Sequence, residues 1–99
     1  MAGKTWRDIF WELRQYSRKG GKKHRRRQRQ RIMKLIRIAM EDGAVSPDHL
    51  AKRHAWAFYK RPGNAPTTLR DRFYAAKWLW KASGKGVPPN PLRETLFRK

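Results

Sequence analysis

Residues 13–40 hold twelve lysines and arginines and not one acid. No small fold can bury so many cations, because each would leave water without a partner. This stretch must therefore turn most of its surface outward and spare only a thin apolar stripe for a core. Ile32, Leu35, Ile36 and Ala39 supply that stripe at the spacing of one helix face. A long second helix is predicted over about 22–42, with Gly43 as its C-cap.

The rest of the chain carries the same period. Thr5-Trp6-Arg7-Asp8 is a capping-box-like start, with Asp in place of the usual Glu. From it Trp6, Ile9, Phe10, Leu13 and Tyr16 define a first helix over about 5–18, which Gly20-Gly21 closes off. Ser46-Pro47-Asp48 reads as an N-cap Ser, a Pro at the first helical position and an acid in the first turn. It predicts a third helix over about 47–60, with Leu50, Ala51, His54, Ala57 and Phe58 on one face. A loop at 61–66 follows. Thr67-Thr68 opens a fourth helix over about 68–83, Asp71 standing three past Thr68. Leu69, Phe73, Ala76 and Trp80 are its apolar stripe, and Gly84 and Gly86 stop it. An extended tail over 84–99 is expected after it. No segment alternates with period two. The fold class is all-α, a compact four-helix unit in which the start of the second helix is strongly basic.

Ninety-nine residues make one small domain, which buries roughly 65% of the unfolded chain's surface. The net charge is +19, split as +10 over residues 1–43 and +9 over 44–99, so this is no neutral domain with a basic tail. Five Trp, four Phe and three Tyr argue against a disordered polycation. The absence of cysteine removes disulfide scaffolds, thiolate metal sites and cysteine nucleophiles. No apolar run approaches a membrane span, and the first 30 residues lack the apolar core of a signal peptide. An intracellular protein associated with DNA or the nucleoid is expected.

Opposite each apolar stripe lies a cationic one. At 100° per residue, the second helix presents Lys23, Arg26, Arg27, Gln30, Lys34 and Arg37, and the fourth presents Arg70, Tyr74, Lys77 and Lys81. The first offers Arg7, Arg14 and Arg18 around Trp11. A face kept only for solubility mixes signs, with Glu–Lys pairs four apart. These do not. The run Gly20-Gly21-Lys22-Lys23-His24-Arg25-Arg26-Arg27 also sets cations where the helix dipole is already positive. A phosphate there satisfies helix-start amides, dipole and side chains together. The run is either a first turn that firms up on binding or a basic arm ahead of a helix beginning nearer Arg31. Either version binds phosphate. Gln30 suits adenine and Arg suits guanine in a duplex groove, with phosphate contact the default role for the others.

Trp11, Trp56 and Trp78 all fall opposite their helices' apolar faces. They are either the contact surface for a protein partner or for bases, or the mark of helices buried on more than one side. His49 and His54 do not converge on a metal, and His54, within an apolar stripe, reads as a satisfied core histidine. The seven acids form no pair poised for acid–base work. There is no phosphate-binding loop and no glycine fingerprint. No catalytic residue, cofactor or metal is expected.

Ala65-Pro66-Thr67-Thr68-Leu69, then Phe73-Tyr74-Ala75-Ala76-Lys77-Trp78-Leu79-Trp80, then Gly84, Gly86 and Asn90-Pro91 form a pattern. Together with the basic second helix and Ser46-Pro47-Asp48-His49-Leu50, it resembles the core-binding, or N-terminal SAM-like, domain of tyrosine recombinases and phage integrases. The resemblance covers nearly the whole chain, although each motif is short and degenerate. It implies a four-helix SAM-like bundle clamping one side of duplex DNA, with its second and fourth helices facing major grooves. By position, Thr67 and Thr68 sit at a phosphate, Arg70 and Lys77 along one groove, and Lys23, Arg27 and Lys34 along the other. The family's catalytic domain has no counterpart here. His24-Arg25-Arg26-Arg27 matches its His-x-x-Arg only formally, inside a basic run, and the second helix is more basic than is usual for the family.

The expectation is a non-catalytic duplex-DNA-binding protein, either a stand-alone accessory factor of a mobile element or a domain of a longer recombinase. The alternatives are an RNA-binding protein of ribosomal character, or a module that inhibits or binds an acidic protein through Trp11, Trp56 or Trp78. No membrane partner is expected.

Overall fold

A computed structural model describes residues 4–18, 22–62 and 65–92. The chain begins on its capping box: the Thr5 hydroxyl accepts the Asp8 amide at 3.2 Å, and the Asp8 carboxylate accepts the Thr5 amide at 2.9 Å. Helix α1, Trp6–Arg18, grows from it and buries Trp6, Ile9 and Leu13. Phe10, expected in the same stripe, stands at the rim, 36% exposed. The Trp6 indole donates to the Ala44 carbonyl at 3.0 Å, tying the start of α1 to the turn after the next helix.

Helix α2, Lys22–Glu41, is helical from Lys22, which removes the reading in which the helix begins near Arg31. The expected stripe of Ile32, Leu35, Ile36 and Ala39 is buried to 1% exposure or less. Gly43, at φ +95°, ends the helix. Its amide bonds the Met40 carbonyl and that of Ala44 the Ala39 carbonyl, both at 3.0 Å, the Schellman pattern that needs a left-handed residue.

The third helix departs from expectation. Ser46 makes no side-chain cap, and Pro47–His49 form a single 3-10 turn. Leu50 and Ala51 are then extended, and α3 spans only Lys52–Tyr59. The break has a local cause. His54 Nδ1 accepts the Ala51 amide at 3.0 Å, which caps α3 anew, while Leu50 drops into the core. With Nδ1 an acceptor, the neutral ring carries its proton on Nε2 and donates to Asp42 at 2.8 Å. His54 is thus the satisfied core histidine expected, and it joins the end of α2 to the start of α3.

Helix α4, Pro66–Ala82, starts two residues before the expected Thr68 and has no side-chain cap. Proline's fixed φ and missing amide suit the first helical position, so Pro66 sets the start. Asp71 turns instead toward Arg31 on α2, at 3.5 Å. Gly84, at φ +75°, closes α4 with a second Schellman pair, Gly84 to Lys81 at 3.0 Å and Lys85 to Trp80 at 2.9 Å.

Among the described residues there are four α-helices and no strand. Helix α2 packs against the other three, most extensively against α4. The described part of the tail is irregular and packs back on the bundle: Pro88 and Pro91 are buried, and Tyr59 donates to the Pro89 carbonyl at 2.8 Å. Residues 93–99 of the expected extended tail lie outside the described residues. Burial pushes the Tyr59 phenol above its ordinary value. Arg72 closes the far end of α3, donating to the carbonyls of Tyr59, Arg61 and Pro62 at 3.2, 2.9 and 2.7 Å.

Candidate nucleic-acid interface

The apolar stripes decide which side chains are left outside. On α2, Lys23, Arg26, Arg27, Gln30, Lys34 and Arg37 are all exposed, and on α4 so are Thr67, Arg70, Tyr74, Lys77 and Lys81. Thr68 is half-buried in the first turn of α4. Lys22 is the first residue of α2, and its side chain lies outside the description.

The two faces border one seam. Arg31 crosses it, donating to Gln28 at 2.9 Å on its own helix and pairing with Asp71 on α4. By helix geometry Arg27 and Lys34 lie roughly 40° and 60° outward of Arg31, and Thr67 and Tyr74 stand at the same angles outward of Asp71. The basic face of α2 and the polar, aromatic edge of α4 are therefore the two lips of the α2–α4 contact.

A second brace holds that contact. The Arg25 guanidinium lies 4.6 Å above the Tyr16 ring and donates to the Tyr16 carbonyl at 3.4 Å. Tyr16 in turn meets Trp78, ring centroids 5.7 Å apart. Arg25, expected among the phosphate ligands, is half-buried and spent on this stack. Its position, roughly 20° from Ile32 and inside the apolar stripe, points it at α1 rather than at solvent.

Of the three tryptophans opposite the apolar stripes, two follow the reading of helices buried on more than one side. Trp78 is half-buried on Tyr16, and Trp56 is half-buried against the core, edge-on to Tyr59 at 5.5 Å. Both helices have neighbours on more than one side, so residues opposite the main stripe still find cover. Trp11 alone of the three is open, at 62% exposure.

The field of this surface is nearly unopposed. Among the described residues the Lys and Arg side chains in salt bridges are Lys4, Arg31 and Arg53, and none belongs to the outer face of α2 or α4. Sequence reading missed Arg29, which is exposed and lines a shallow hollow of about 410 Å³ with Arg26 and Met33. It also missed Lys85, beside Lys81 at the end of α4. The i, i+4 spacing of Lys77, Lys81 and Lys85 carries the signal, but Gly84 conceals it by ending the helix.

His49 accepts the Val45 amide through Nδ1 at 3.2 Å, a turn-forming role. Among the described residues no three metal-ligating side chains gather, and no helix is long and apolar enough to cross a membrane. Compared with protein-family models, curated proteins and solved structures, the chain matches none.

Proposed function

We propose that this chain binds duplex DNA without catalysing a reaction, gripping phosphates and major-groove edges with the outer faces of α2 and α4. One observation carries the reading: the exposed cations of α2 and α4, none of them held in a salt bridge among the described residues, stand on the two sides of a single braced seam. A rigid pair of helices so disposed meets a polyanion whose charges lie in parallel rows. The likeness to the core-binding domain of tyrosine recombinases supports the same assignment of helices. Such a protein works as an accessory or regulatory factor of a mobile element, or as the clamp of a longer recombinase, at the DNA inside the cell.

The test is fluorescence anisotropy of the chain with a random-sequence duplex across a salt series. Neutralising about 6 phosphates gives a log–log slope near −5. Replacing Lys23, Arg27 and Lys34 together with Ala weakens binding and leaves helicity intact. A flat salt response, or unchanged affinity in the triple variant, defeats the assignment. Structured RNA competing better than duplex by tenfold, about 1.4 kcal/mol, selects the RNA-binding alternative instead.

A further inference from the structure

Beyond Gly84 the chain lies alongside α4, and a groove runs between the helix and residues 86–88. It encloses about 480 Å³, within the range of roughly 300–1,000 Å³ common to small-molecule sites. The walls are carbon: Tyr74 and Trp78 on the helix, Val87 and Pro88 opposite. Tyr74 is 50% exposed and Val87 76% exposed, so the groove is open to a ligand. The rim is cationic, made by Lys77, Lys81 and Lys85, and no acid lines it.

Both rings have aromatic neighbours. The Tyr74 ring lies 6.2 Å from that of Phe73, and Trp78 leans on Tyr16. The occupant that fits has a flat apolar body and an anionic group attached to it. A second copy of a +19 chain brings cations to a rim already cationic. A nucleotide brings a base, whose π-face stacks on aromatic side chains whatever the sequence, and a phosphate for the lysines. Bases within a duplex have both faces covered by their neighbours. Only an unpaired base can enter.

We propose that this groove holds one unpaired nucleotide of the bound nucleic acid, its base between Tyr74, Trp78 and Val87 and its phosphate at Lys77, Lys81 and Lys85. This rests on the nucleic-acid reading above: the outer face of α2 and the start of α4, at Thr67 and Arg70, hold the duplex, and the groove along the rest of α4 takes a base the duplex leaves free, at an overhang, bulge or branch.

The experiment compares two duplexes of the same sequence and phosphate number at one salt concentration. One ends in a short single-stranded overhang of adenines, the other in the same overhang without bases. The chain binds the first about tenfold tighter, the contribution of one stacked base. A fluorescent purine analogue in the overhang is quenched on binding, while the same analogue within the paired region is not. Tyr74→Leu keeps bulk at a half-exposed position but removes the ring, and the preference disappears. Tyr74→Phe retains it. Equal affinity for both overhangs, with duplex binding intact, overturns the proposal and leaves the duplex reading standing. A preference that persists in Tyr74→Leu also overturns it. Failure to bind either duplex overturns both.

Discussion

Asp42 is one carboxylate with two masters. It accepts from Arg53 Nε and His54 Nε2, each at 2.8 Å, and these bonds, Arg53's first, hold it below its ordinary value of 3.8. A carboxyl depressed in the folded state stabilises the fold above its unfolded pKa and loses that contribution as pH falls through the folded one. The pair is half-exposed, so solvent screening keeps the effect small. Melting temperature followed from about pH 5 to pH 2 should fall less steeply in Asp42→Asn than in the parent. Part of the slope should remain, because the Thr5 cap depresses Asp8 in the same direction. Arg72 makes a sharper test. Its guanidinium serves three carbonyls at the end of α3 and lies 5.9 Å from the Phe58 ring. Arg72→Met keeps the stem and loses those bonds, which costs about 1–2 kcal/mol. The urea midpoint should drop with the slope unchanged.

At the scale of the helix, the ends decide more than the middles. Gly43 and Gly84 sit at φ +95° and +75° with nothing within 4 Å of an added Cβ. An alanine at either place meets no neighbour, yet it still suffers the left-handed backbone, about 1–2 kcal/mol. Gly86 has the same open space without the positive φ. Gly43→Ala should therefore lower the unfolding midpoint, and Gly86→Ala should hardly move it. Both C-terminal glycines and the Thr5–Asp8 box were legible in the sequence, because such caps are settled within six residues. The stripes of α2 and α4 were legible too, since burial on one side follows from period alone. Illegible were the features settled between elements. The break at Leu50 depends on a histidine reaching a carboxylate twelve residues earlier. Pro66 outweighed Thr68 as the start of α4, although both carry start signals. The wheel left Trp56 and Trp78 open between a contact surface and burial, and Arg25, which it sets in the apolar stripe, was read from the basic run instead. For the candidate site, wheel arithmetic found the cations, while their arrangement along one seam came only with Arg31–Asp71 and Tyr16–Trp78.

For the whole molecule, charge sets two opposed responses to salt. A net +19 on 99 residues repels itself in the compact state. Salt shortens the reach of that repulsion, to about 10 Å at 0.1 M. Added salt should therefore raise the melting temperature of the free chain and lower its affinity for duplex DNA. Scanning fluorimetry and anisotropy over one salt series check both signs. A melting temperature that falls with salt would show that local ion pairs outweigh the global repulsion. Among the described residues the ion pairs include three of Lys or Arg and one histidine contact, all at least partly exposed on one side.

The stack of Arg25, Tyr16 and Trp78 links three helices through two ring contacts. It works as a ruler. The thickness of one tyrosine ring helps set how far the start of α2 stands from α4, and so the interval between their two rows of cations. Changing Tyr16 would retune that interval without touching any of those cations. Under the proposed function, a clamp adapting to a differently wound duplex would have its adjustment screw there, on α1.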